Sequence, residues 1–167
     1  MNRIGFIRNL GLSLVAVSLA ADGGELRLRN VYSDKMLFQR DQPIVFAGTG
    51  DAGSGVTVRM NGERGEAKVG ADGAWRVELK PMKAGGPYEA TVTDGKKTLN
   101  LRDILIGELW LASGQSNMEM PVVGSKWYSL TNGHEVASAA NDPELRYFGV
   151  PKGVDCDNPH TEVQGRP

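Results

Sequence analysis

The stretch ILIGELWLASGQSN, residues 104–117, decides the fold expected for this chain of 167 residues. Ile104 to Ala112 is close to continuously apolar, and a polar turn, Gly114-Gln115-Ser116-Asn117, follows it. Strands that are buried on both faces have this composition, and they occur in parallel sheets covered by helices. The stretch therefore predicts the first strand of an α/β domain, with a polar turn at its carboxyl end.

The residues before this stretch, 31–101, alternate between apolar and polar side chains in short segments. Val56, Val58 and Met60 alternate with polar neighbours and end at Asn61-Gly62, a pair that tolerates the positive φ angles of a tight hairpin. Strands of about five residues, with turn residues every 8–12 or so, are typical of an all-β sandwich. On such alternating strands, Trp75 and Tyr88 are expected to pack in the core rather than to form a platform for sugars.

The first 20 residues have the pattern of a signal peptide. Arg3 and Arg8 form a positive amino-terminal region, Leu10 to Leu19 is apolar, and small residues precede a cut after Ala20. The apolar run is too short to span a bilayer, which needs about 20 apolar residues. We therefore expect a secreted or periplasmic protein with no membrane segment after cleavage.

The residues after the polar turn are too few for a second complete domain. Val136 to Ala140 could form one or two helical turns, Glu144 to Val150 is typical of a second buried strand, and residues 151–167 have the composition of a loop. A doubly wound sheet needs roughly four to six strands. The expected organisation is thus a signal peptide (1–20), a β-sandwich domain (21–102) and the truncated start of an α/β domain (103–167).

Composition excludes several classes of function. The formal net charge is −1, so no basic surplus is available to neutralise nucleic-acid phosphates. Cys156 is the one cysteine and cannot form an intrachain disulfide. No cluster of Cys and His residues suggests a metal site.

Ser116 stands just past the carboxyl end of the predicted buried strand, the edge at which open α/β sheets bind ligands. Gly114 would allow a tight turn, and the backbone N–H groups around Ser116 could stabilise an oxyanion. A serine nucleophile also needs a base, which is commonly a histidine oriented by a carboxylate. On its own, however, the tetrapeptide is more typical of an ordinary polar turn.

The longer string IGELWLASGQSNMEMPV, residues 106–122, resembles the first block of the sialate O-acetylesterase family, which belongs to the SGNH hydrolases. Other segments resemble the same family: 33–40 (SDKMLFQR), 84–88 (AGGPY) and 141–146 (NDPELR). The resemblance covers about residues 25–165. It implies a flavodoxin-like α/β fold for the second domain, and therefore the start of an SGNH hydrolase domain.

The resemblance also implies an activity and a set of site residues. Ser116 would attack an acetyl ester on a sugar, in particular 9-O-acetylated sialic acid, and would form an acetyl-serine intermediate. Gly114, Gln115 and Asn117 match motif positions that shape the turn and line the oxyanion region. The expected partner is an acetylated glycan, and no metal or organic cofactor is implied.

The base of the family lies near the end of its catalytic domain. His160, in Asp157-Asn158-Pro159-His160, has a suitable motif spacing but follows Ser116 too closely in the chain, and His134 is expected in a loop or at a helix end. We therefore expect the chain by itself to be inactive. Trp127 and Tyr128 could line a glycan cleft or simply pack.

Two alternatives to a sialate O-acetylesterase follow from the same residues. One is an acetylesterase that acts on a plant polysaccharide such as acetylxylan, since nothing in the sequence reads the sugar. The other is a non-catalytic β-sandwich module that binds glycans or partner proteins, with the residues after Asn100 as a remnant.

Overall fold

The structure, a computed structural model, describes residues 24–115, 118, 120–124 and 130–150. The predicted signal peptide, Ser116, Asn117, Trp127, Tyr128, Cys156 and His160 lie outside these residues. The described elements are β1 (Arg27–Leu28), β2 (Leu37–Gln39), β3 (Ile44–Thr49), β4 (Gly55–Met60), β5 (Glu63–Lys68), β6 (Ala74–Leu79), β7 (Gly85–Thr93), β8 (Thr98–Gly107) and α1 (Gly133–Ala139).

The strands form two sheets. One has three strands in the order β1-β3-β6, and the other has five in the order β2-β8-β7-β4-β5. All neighbouring pairs are antiparallel except β2 and β8, which are parallel. The expectation that the first part of the chain is all-β is confirmed, since the described residues up to Gly107 form strands and no helix.

Both sheets contribute to one cluster of buried apolar side chains. Phe46 on β3 has no exposed surface and packs against the rings of Tyr32 and Phe38, with ring centroids 5.6 and 5.1 Å away. From the larger sheet, Val58, Val92 and Ile104 are fully buried in the same cluster. Burial of apolar surface from both sheets is therefore the main stabilising term.

The alternation of the sequence places the strands correctly in the middle of the chain. Asn61 and Gly62 both have positive φ (47° and 78°) and close the β4–β5 hairpin, in which Met60 pairs with Glu63. Trp75 is 3% exposed and donates its indole N–H to the Thr49 carbonyl at 2.9 Å, and Tyr88 is half-buried against the core. The prediction that these two aromatic residues pack in the core is confirmed.

Gly48, on the central strand of the smaller sheet, leaves no room for a side chain. A Cβ built there would lie 1.9 Å from the Arg27 carbonyl oxygen and 2.7 Å from the Trp75 ring. The closest group is backbone, so it cannot move aside without shifting β1. Gly55 is also a strand glycine, but nothing lies within 4 Å of the position that a Cβ would take there.

We expect Gly48→Ala to lower the free energy of unfolding by about 3 kcal/mol, the upper end of the usual cost of overpacking. Gly55→Ala is the matched control, and it should be neutral or slightly stabilising because it restricts the unfolded chain. Urea denaturation followed by tryptophan fluorescence measures both. Equal midpoints for the two variants would contradict the close packing at Gly48.

Two strands predicted after Arg102 are wrong in part or in whole. The strand expected over Ile104 to Ala112 ends at Gly107, and Leu109, Trp110 and Leu111 are 63%, 84% and 93% exposed. β2 pairs with β8 as far as Gly107 and β7 as far as Ile106, so the following residues have no described neighbouring strand. The segment 144–150 is not a buried strand either, since Leu145, Tyr147 and Val150 are largely exposed.

The helical turns predicted at Val136 to Ala140 are confirmed as α1. β8 runs across the predicted domain boundary between residues 102 and 103, and the division into domains stays a prediction. No helix in the described part of the chain has the length and apolar character needed to cross a bilayer.

Candidate active site

The chain leaves the larger sheet at the end of β8 and continues towards the Gly-Gln-Ser-Asn motif. β2 pairs alongside this exit, with Leu37 opposite Leu105 and Gln39 opposite Gly107. Backbone hydrogen bonds alternate across the pair, from the Leu105 N–H to the Met36 carbonyl (3.0 Å) and from the Arg40 N–H to the Gly107 carbonyl (2.8 Å). β2 thus supports β8 up to its last residue.

Beyond Gly107, side-chain hydrogen bonds take the place of the backbone hydrogen bonds between β2 and β8. The Gln39 amide donates to Glu108 Oε2 at 3.0 Å and accepts from the Leu109 N–H at 2.8 Å. Arg40 Nε donates to Glu108 Oε1 at 2.5 Å. We call these four residues, Gln39, Arg40, Glu108 and Leu109, the exit clamp.

The charges of the exit clamp reinforce one another. The hydrogen bond from Gln39, followed by that from Arg40, lowers the pKa of Glu108, and the hydrogen bond to Glu108 raises the pKa of Arg40. On the far side of Arg40, the hydrogen bond from Lys83 lowers the pKa of Asp41. Glu108 therefore stays ionised, and able to accept both hydrogen bonds, throughout the neutral range.

The motif itself is partly described. Ser113, Gly114 and Gln115 are exposed, and the Met118 N–H donates to the Gln115 carbonyl at 2.9 Å. A Cβ at Gly114 would lie 2.7 Å from Met118 Cγ, so the glycine allows this side chain to approach. The predicted site residues Ser116 and Asn117 lie outside the described residues, so the turn predicted at residues 114–117 stays a prediction.

Two further contacts hold the chain after the motif. A Cβ at Gly133, the first residue of α1, would lie 1.9 Å from the Val122 carbonyl oxygen, so the helix starts in direct contact with the residues after the motif. Arg146 donates to Asp103 Oδ1 on β8 at 3.0 Å, which ties the segment 141–150 to the sheet. His134 is exposed near the start of α1, in agreement with its predicted position at a helix end.

Sequence reasoning missed the exit clamp. Gln39 and Arg40 fall in the segment 33–40, which resembles the family, but alternation within one strand does not identify a partner 69 residues later. Asp103 and Glu108 are acids beside an apolar run, and both form ion pairs, with Arg146 and Arg40. A carboxylate directly after an apolar strand is the signal that could have suggested such a pair.

A groove of about 610 Å³ lies at the other end of the larger sheet. Its walls include Thr57, Lys68, Thr93 and Asp94, and Thr93 pairs with Thr98 at the end of the β7–β8 ladder farthest from Ile106. The groove is therefore separate from the motif. The described residues hold no group of three or more His, Cys, Asp and Glu side chains that could bind a metal ion.

Comparisons with known proteins point to one family. No family model matches the chain. The sialate O-acetylesterase of Rattus norvegicus is 35% identical over 157 residues, which cover 86% of this chain and 28% of the relative. The Homo sapiens protein of the same name is 35% identical over 130 residues, 71% of this chain and 25% of the relative.

A solved structure agrees with these relatives. A carbohydrate acetylesterase from Xanthomonas citri superposes with a TM-score of 0.75 at 36% identity, over 83% of this chain and 31% of that protein. The matches cover 86% and 83% of this chain, and Ser116 stands far from both ends. The matched region therefore includes the position of Ser116. The chain is therefore a relative of the sialate O-acetylesterases, and it spans about a quarter of the length of the curated proteins that it matches.

Proposed function

We propose that the protein is a secreted serine esterase that removes O-acetyl groups from sugars, with 9-O-acetylated sialic acid as the substrate. The observation that carries the proposal is the match to sialate O-acetylesterases at about 35% identity over most of this chain, including the position of Ser116. The carbohydrate acetylesterase from Xanthomonas citri supports an acetylated sugar as the broader substrate class.

In the proposed reaction, Ser116 Oγ attacks the acetyl carbonyl carbon while a base accepts the hydroxyl proton. Negative charge develops on the carbonyl oxygen, and the backbone N–H of Ser116 donates to it, with Gly114, Gln115 and Asn117 shaping the turn. The sugar oxygen leaves with a proton, and water then hydrolyses the acetyl-serine. No step needs a metal ion or an organic cofactor.

The scaffold in this proposal has two parts. The two sheets form a β-sandwich domain, supported by the buried cluster of described residues to which both sheets contribute. The residues from the motif onwards form the start of an α/β hydrolase domain, supported by the exposure of Leu109, Trp110 and Leu111 beyond β8. Such a run of exposed apolar side chains is typical of surface that further structure covers.

We also propose that the catalytic base does not lie within residues 21–167. It would correspond to a part of the relatives' sequences that this chain does not match. His134, the histidine among the described residues, is exposed on α1, where solvent rather than a buried carboxylate surrounds it. Residues 21–167 alone would then turn over an acetyl ester at a negligible rate, because no base would activate Ser116. Residues 1–20 would direct the protein out of the cytoplasm.

The test compares residues 21–167 with a version extended to the length of the relatives. Acetate release is measured from O-acetylated mucin and from acetylated xylan. We expect the extended version to release acetate from mucin, and the shorter version to release none from either. Preferential release from xylan would replace sialic acid by a polysaccharide substrate, and no release from either substrate by the extended version would overturn the esterase proposal.

A further inference from the structure

We propose that Gln39 is a positioning residue, whose side-chain amide fixes the direction in which the chain leaves β8 towards the Ser113–Gln115 segment. The inference deepens the proposed function and rests on it, because the direction of this segment matters for chemistry only if Ser116 is the nucleophile. The residues that carry it, Gln39, Arg40, Glu108 and Leu109, are all described.

Gln39 occupies the place of a missing rung in the β2–β8 ladder. In a parallel pair, hydrogen bonds alternate in direction along the strands. The Leu105 N–H donates to Met36 and the Arg40 N–H donates to Gly107, so the next rung would join the Leu109 N–H to the Arg40 carbonyl. That rung is absent: the Leu109 N–H donates instead to Gln39 Oε1, at 2.8 Å.

The Gln39 amide also lies near the Arg40 carbonyl, which would be the acceptor of this missing hydrogen bond. Its Nε2 lies 3.4 Å from the Arg40 carbonyl oxygen, while it donates to Glu108 Oε2 at 3.0 Å. β2 cannot make the rung itself, because the chain turns away at Asp41, which has a positive φ of 59° and donates its N–H to Met82. A side-chain amide, which carries both a donor and an acceptor, thus continues the sheet by one residue.

The contact fixes a direction because it holds two consecutive residues. Gln39 binds the side chain of Glu108 and the backbone of Leu109, and Arg40 holds the second oxygen of the same carboxylate. Packing cannot supply this constraint, since Leu109, Trp110 and Leu111 are largely exposed. Among the hydrogen bonds between described residues, the one from the Leu109 N–H is therefore the last before the motif.

The exit clamp contributes to local order much more than to global stability. The side chains of Arg40 and Glu108 are 46% and 47% exposed, and exposed ion pairs add little to the free energy of unfolding. Local opening of a surface segment is governed by its own hydrogen bonds rather than by the core. A variant of Gln39 should accordingly loosen Leu109 and leave the core unchanged.

The test uses amide hydrogen exchange and backbone amide chemical shifts in the whole 167-residue chain. In Gln39→Leu we expect the Leu109 amide to exchange at least about tenfold faster, the amide shifts of Ser113 to Gln115 to change, and the exchange of Val92 and Ile104 to stay the same. Asn100→Leu is the matched control, since it removes an exposed amide that accepts from Thr91 elsewhere on β8. It should leave residues 109–115 as in the wild type.

A second pair of variants exchanges the amide of Gln39 with the carboxylate of Glu108. It tests whether the hydrogen bonds of Gln39, rather than its packing, hold Leu109. Gln39→Glu alone places two carboxylates face to face and should speed Leu109 exchange as Gln39→Leu does. Adding Glu108→Gln should restore slow exchange. The amide introduced at position 108 would donate to the carboxylate introduced at position 39, and that carboxylate would still accept from the Leu109 N–H.

Unchanged Leu109 exchange or unchanged Ser113–Gln115 shifts in Gln39→Leu would overturn the inference, and so would a double variant as fast as Gln39→Leu. These measurements need no substrate. A negative result in these measurements would overturn the role of Gln39 only. A failure to release acetate would overturn the esterase proposal and would say nothing about the hydrogen bonds of Gln39.

Discussion

Replacing Ser116 with alanine is expected to abolish hydrolysis of acetyl esters by any form of this protein that hydrolyses them. The substitution removes the oxygen that would form the acetyl intermediate, and loss of a serine nucleophile costs at least about a thousandfold in kcat. The measurement is the initial rate with p-nitrophenyl acetate and with an O-acetylated glycan, using the version extended to the length of the relatives and residues 21–167 side by side.

Ser113→Ala is the matched control, because Ser113 is an exposed serine of the same segment. It should retain most of the rate. Retained turnover in Ser116→Ala would exclude Ser116 as the nucleophile, whatever the substrate. Turnover by residues 21–167 that disappears in Ser116→Ala would show that a base exists within these residues, contrary to our proposal.

The second large effect is expected from cutting the chain at the predicted domain boundary. Residues 24–102 should fail to fold, because the cut removes the second half of β8. Ile104 and Ile106, which are 0% and 3% exposed, would leave the core, and β2 would lose the strand with which it pairs. Losing buried isoleucine side chains costs about 2–5 kcal/mol each. The sum is comparable to the whole stability of a small domain, about 5–15 kcal/mol.

Residues 24–109 are the control for this cut, since they keep β8 and the exit clamp. Circular dichroism and urea denaturation should show a cooperative transition for 24–109 and none for 24–102. A cooperative transition of equal midpoint in both would show that β2 and the end of β8 are dispensable, and would support a boundary at residue 102.

The sequence predicts the strands that depend on local signals and misplaces those that depend on distant partners. Alternation and the Asn61-Gly62 pair are local, and the β4–β5 hairpin follows from them. For the apolar run from Ile104 to Ala112, local signals do not show where the strand ends. Its first residues belong to the sheet because β2 and β7 pair with them, but composition does not tell where those neighbouring strands end.

The candidate site shows the same division. The turn residues of the motif can be picked out by their type and by their resemblance to a family. The exit clamp cannot, because it joins Gln39 to residues about 70 positions later through side-chain geometry. Only the parallel register of β2 and β8, which places Gln39 opposite Gly107, brings these groups together.

The parallel contact between β2 and β8 has a consequence for the order of folding. Bringing together segments separated by 68 residues (Leu37 and Leu105) carries a larger entropic cost than closing the β4–β5 or β7–β8 hairpins, whose strands follow each other directly. The hairpins can assemble early, while β2 must wait for the rest of its sheet. We therefore expect the groups of the exit clamp to come together later than the two hairpins form.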